Sequence, residues 1–158
     1  MAEAPQARRR AIARAIERTI RFVPAIAFVA AGACGAGGEP AAPPMSFGAE
    51  PDQTLTSDSG ALTVAVWFAP DPPSAGSDAA QIAFMDAGGA AVSGLDLSVV
   101  PWMPAHGHGT SVNPTVTETA PGVFVATPLY LFMPGSWELR MTIAGIVDDT
   151  AKASFEIP

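Results

Sequence analysis

The stretch Gly135-Ser136-Trp137-Glu138-Leu139-Arg140-Met141-Thr142-Ile143 alternates apolar and polar residues. In an extended chain Trp137, Leu139, Met141 and Ile143 share one side, and Glu138, Arg140 and Thr142 share the other. That two-residue period belongs to a strand with one buried face. A helix would scatter these residues around its axis. The same pattern recurs in Ala61 to Phe68, where Leu62, Val64, Val66 and Phe68 fall on one face. Val123 to Thr127, Gln81 to Met85, Leu95 to Val100 and Lys152 to Ile157 read as further short strands.

Turn signals separate these runs: Pro70-Asp71-Pro72-Pro73, Asp86-Ala87-Gly88-Gly89, Pro121-Gly122, Pro134-Gly135 and Asp148-Asp149. The segment Ala69 to Ala80 reads as one loop. Six to eight short strands with regular turns and no helical periodicity predict an all-β fold. The expectation is an immunoglobulin-like antiparallel β-sandwich, with a small barrel as the alternative. The part that can fold this way is taken as residues 59–158, large enough for one core.

The beginning of the chain has a different character. Arg8, Arg9, Arg10, Arg14, Arg18 and Arg21 precede an apolar run from Phe22 to Ala33, broken only by Pro24, and then Cys34. This is the layout of a secretory signal over residues 1–33, too short for a comfortable transmembrane span. Ala31-Gly32-Ala33-Cys34 resembles a lipobox, with Ala31 where Leu is usual. Cys34 is the expected lipidation site, and a plain signal cut near Ala33 is the other reading. Residues 34–58 are then the lipidated cysteine and a tether, whose Gly/Ala/Pro-rich start at 35–46 reads as flexible. The expectation is an exported lipoprotein of the cell envelope, facing the periplasm or the outer surface. An acylated Cys34 leaves no thiol for a disulfide or a cysteine-ligated copper centre.

After residue 33 only Arg140 and Lys152 remain basic, against thirteen acidic residues, for a net charge of −11. Such a surface repels nucleic acid and anionic lipid, so nucleic-acid binding is excluded. No Ser-His-Asp arrangement, Gly-x-Ser-x-Gly elbow or phosphate-cradling loop is present, so no enzyme is expected.

Chemistry concentrates in Trp102-Met103-Pro104-Ala105-His106-Gly107-His108-Gly109, which holds both histidines of the chain. In an extended segment His106 and His108 project to one side, and Gly107 between them removes steric obstruction. An imidazole pair suits Cu(I), Cu(II), Ni(II) or Zn(II). Thioether sulfur from Met103, and from Met133 in a second Met-Pro turn, favours Cu(I). A zinc site completed by carboxylates stays open, with Glu118 the nearest acid in sequence. A metal-free reading makes the histidines turn residues and Met103 and Met133 core fillers.

Pro101-Trp102-Met103-Pro104-Ala105-His106-Gly107-His108-Gly109, Pro121-Gly122-Val123-Phe124 and Leu131-Phe132-Met133-Pro134-Gly135-Ser136-Trp137 together resemble the YtkA-like domain and the related periplasmic domain of FixH proteins. The resemblance covers about residues 60–157. It implies an immunoglobulin-like sandwich outside the cytoplasmic membrane, with His106, His108, Met103 and Met133 matching the motif. FixH-like proteins are associated with copper supply to oxidase assembly, but this chain lacks their uncleaved transmembrane anchor. The expected function is non-catalytic: Cu(I) held for buffering or for transfer to a protein partner, near the membrane that holds the lipid anchor. A metal-free accessory domain of the envelope is the alternative.

Overall fold

A computed structural model describes residues 45–158. The proposed signal, Cys34 and the first part of the tether lie outside the described residues. Among the described residues there is no helix, and nine strands run in the order β1 (Gln53–Thr56), β2 (Thr63–Ala69), β3 (Gly76–Met85), β4 (Leu95–Met103), β5 (His108–Gly109), β6 (Thr115–Ala120), β7 (Val123–Leu131), β8 (Gly135–Gly145) and β9 (Asp149–Ile157). One sheet has the order β1-β2-β3-β7-β6 and the other β5-β4-β8-β9. Every pairing within them is antiparallel. The expected antiparallel sandwich is the fold.

The inner face of β8 is the one its alternation marks. Trp137, Leu139, Met141 and Ile143 are buried, and they join Leu62, Val64, Val66, Phe68, Ile82, Phe84, Leu129 and Phe155 in one core. Full burial of a side chain of this kind contributes about 1.5–3 kcal/mol. Phe68 and Phe155 meet across the two sheets with ring centroids 4.7 Å apart. In β2 the alternate residues Ala65 and Trp67 are buried as well. Both faces of this strand are therefore covered, although the sequence marks only one.

Three expectations change. The sheet starts at Gln53, inside the stretch read as tether, because the polar strand Gln53–Thr56 pairs with Thr63–Val66. The supposed loop from Ala69 to Ala80 ends at Ala75. Gly76 to Ala80 continue β3, and Gly76, Ser77 and Asp78 pair with Leu131, Tyr130 and Leu129. Pairing with β7 pulls this weakly β-prone segment into the ladder, and β2 joins on the other side from Ala79. Finally, β4 runs on to Met103, so that methionine ends a strand and does not lie in a loop.

Connections fix which residues share an end. Pro121-Gly122 closes the β6–β7 hairpin with Gly122 at φ 71°. A Cβ there would meet the Val92 carbonyl oxygen at 2.7 Å. Only three residues link Leu131 at the end of β7 to Gly135 at the start of β8. The ends of β2, β4 and β7 and the starts of β3, β6 and β8 therefore cluster at one end of the sandwich.

Candidate metal site

Met103, His106, His108 and Met133 all lie at that end. Met103 is the last residue of β4, points into the core and is 3% exposed. The chain then turns back. The N–H groups of His106 and Gly107 both donate to the Met103 carbonyl, at 3.2 and 3.0 Å. Gly107 takes φ 67°, the left-handed conformation such a turn needs. His108 re-enters the sheet as β5, directly opposite Met103 in the antiparallel register. Opposed residues in such a pair carry their side chains on the same face. His108 therefore sits above the inner face of its sheet at the open edge, exposed, with Met103 beside it.

The extended-chain argument for the His-x-His pair does not hold in detail, because His106 is in the turn and only His108 is on a strand. The turn still brings the rings together, with centroids 5.6 Å apart and planes at 33°. Two imidazoles bound to one ion at about 2.0–2.1 Å and at a trigonal angle have ring centres about 5.5 Å apart. The observed separation of the rings is close to that value. His108 Nδ1 lies 3.1 Å from the Gly109 carbonyl oxygen. When Nδ1–H donates there, Nε2 keeps its lone pair and is the ligating nitrogen.

Met133 reaches the same place from the β7–β8 turn. It lines a cleft of about 550 Å³ together with His108, Tyr130, Phe132, Val112 and Trp137. Trp137 is buried, and its indole N–H donates to the Met133 carbonyl at 2.9 Å, which pins the turn. Gly135 has φ 117°, and a Cβ there would lie 3.1 Å from the terminal methyl of Met103. The Met-Pro-Gly-x-Trp motif thus has a physical reading. Tryptophan clamps the methionine-bearing turn, and glycine lets it approach the other methionine closely.

His108 and Met133 share the cleft wall, His106 stands next to His108, and the buried Met103 is the register partner of His108. Among the described residues no three His, Cys, Asp or Glu side chains group closely enough to hold an ion. Zinc completed by carboxylates is thereby left without its third ligand there. Glu118 is engaged elsewhere, accepting from the Gly122 N–H at 2.9 Å. A soft ion that takes two nitrogens and a thioether is the one this donor set suits. Sequence reasoning missed Tyr130, Phe132, Val112 and Trp137 as walls. Tyr130 and Phe132 were signalled only by an apolar run continuing into a turn, Trp137 by the alternation of β8, and Val112 by nothing local.

The profile of the YtkA-like family matches residues 56–142, more than half of the chain. The chain belongs to the YtkA-like family. The matched span takes in both Met-Pro turns and the histidine pair. No curated protein matches the chain. Among solved structures, a DUF4426 family protein from Pseudomonas aeruginosa PAO1 is similar at 12% identity and a TM-score of 0.45, covering 66% of this chain and 94% of that one.

Proposed function

We propose that this YtkA-like protein is a non-catalytic lipoprotein of the cell envelope that holds Cu(I) through His106, His108, Met133 and Met103, for buffering or for handing on to a protein partner. One observation carries the reading. His108, with Nδ1 beside the Gly109 carbonyl, lines a cleft that Met133 also lines, while Met103 stands opposite it in the ladder. Two nitrogens and soft sulfur in an apolar, half-open cleft suit a monovalent soft cation, and they leave room for a ligand from an acceptor. A shallow site at a domain end suits exchange better than permanent storage.

Export and anchoring rest on the basic n-region, the apolar run and Cys34. The experiment is a Cu(I) titration of the mature protein under reducing conditions against a chromogenic chelator. The expected result is one-to-one binding, lost in His106→Ala/His108→Ala and weakened at least tenfold in Met133→Ala. If the chelator keeps all the copper, the protein is a metal-free accessory sandwich of the envelope.

A further inference from the structure

The end of the sandwich that carries the cleft is also the end at which the N-terminal chain joins the domain. Before β1 the backbone runs alongside the end of β2, where Asp52 accepts the Phe68 N–H at 2.6 Å. Asp71, in the loop after β2, is close enough to raise the Asp52 pKa further, after burial, which is the main cause. Cys34 lies only 18 positions before Asp52 in the sequence. The eleven residues of β8 extend about 37 Å. The chain that leads from Cys34 therefore enters the fold at the cleft end, and the β8–β9 turn lies at the other end.

The cleft end also has the surface that such a position calls for. Phe132 is 69% exposed and Val112 54% exposed, and both are on the cleft rim. The Phe132 ring stacks on Tyr130 with centroids 5.7 Å apart. No charged residue occurs from Leu97 to Thr117 or from Thr119 to Trp137, the segments that build the rim. Exposed aromatic and apolar tips in an uncharged setting suit the headgroup region of a bilayer. Five carboxylates, Asp58, Asp86, Asp96, Asp148 and Asp149, lie at or near the opposite end. Of the carboxylates at the cleft end, Glu50, Asp52 and Asp71 flank β1 and β2 and Glu156 is on β9, Asp78 on β3 is buried, and Glu138 on β8 is paired with Arg140; none of them lines the cleft.

We propose that the Phe132–Val112 rim rests on the membrane that anchors the chain, so that the Met/His cleft faces the lipid surface. This rests on the lipoprotein reading of Cys34 and is independent of copper. The orientation addresses the site to a membrane-embedded acceptor.

The test uses the full-length gene product, extracted from membranes and reconstituted in phosphatidylcholine vesicles carrying a surface energy acceptor. A clickable donor residue replaces either Ser111 on the rim or Ile146 in the β8–β9 turn. Intact mass reports whether Cys34 carries lipid. The expected result is a lipidated Cys34 and transfer from position 111 at least about twofold stronger than from 146, given the length of β8. Phe132→Asp/Val112→Asp, at two exposed positions, is expected to remove most of that difference while the protein stays anchored and folded. A lipidated protein with equal or reversed transfer overturns the orientation alone and leaves a protein as the occupant of the rim. A free Cys34 overturns the anchor and this inference with it.

Discussion

Replacing Trp137 by Phe is expected to lower stability by about 2 kcal/mol and to weaken Cu(I) binding. The indole is 2% exposed, and its N–H donates to the Met133 carbonyl at 2.9 Å. A hydrogen bond of this kind contributes about 0.5–1.5 kcal/mol net. The smaller ring leaves about 40 Å³ unfilled, which at about 24 cal/mol per Å³ costs about 1 kcal/mol more. For a folded unit of this size the sum lowers Tm by about 8 °C. Calorimetry measures the stability, and chelator competition measures the affinity. Site-specific 3-benzothienylalanine at position 137 keeps the shape and deletes only the N–H, so it should show about 1 kcal/mol of the loss. If that replacement costs nothing and leaves Cu(I) affinity unchanged, the clamp on the Met133 turn is not what holds the site, and the reasoning fails.

Gly122→Ala should cost more than about 2 kcal/mol in urea unfolding, because a left-handed φ coincides with a backbone oxygen 2.7 Å from the new Cβ. His108→Ala should lose Cu(I) more completely than His106→Ala, since only His108 lies on the cleft shared with Met133; equal losses would assign the ion to the exposed turn. The Asp149 carboxyl is lowered to about 2, first by the Ser57 and Ser59 hydroxyls that donate to it. Its stabilisation is present above about pH 4 and is lost as the pH falls toward 2, so Asp149→Asn should flatten the acid-unfolding curve in that window. Burial raises the Asp78 pKa, although the Ser74 N–H bond opposes the shift. Ionising Asp78 works against folding as the pH rises. Asp78→Asn, which keeps an acceptor for Ser74, should therefore gain stability relative to the parent between pH 4 and 7, as denaturant titrations at several pH values would report.

The β8 alternation was legible because its buried and exposed residues follow the strand period without a break. The inward face of β2 was legible for the same reason. Gln53–Thr56 was not: its residues are mostly polar, and only pairing with β2 makes a strand of them. Gly76 to Ala80 looked like loop because Gly, Ser and Asp have low strand propensity, and pairing with β7 overrode it. At the site, the residue types and the two Met-Pro turns could be read directly. The roles of the methionines could not. Met103 and Met133 sit in similar Met-Pro dipeptides, yet one is core and the other lines the cleft.

What the sequence determined by itself is the strand period, the turn positions and the supply of imidazole and thioether donors, because each depends on neighbours a few residues away. The tertiary structure decided that β5 folds back to put His108 opposite Met103, and that a three-residue link brings Met133 to the same end. It also decided that the N-terminal chain arrives there. These placements depend on strand order across two sheets, where residues distant in sequence become neighbours through hydrogen bonding and core packing that no local pattern encodes.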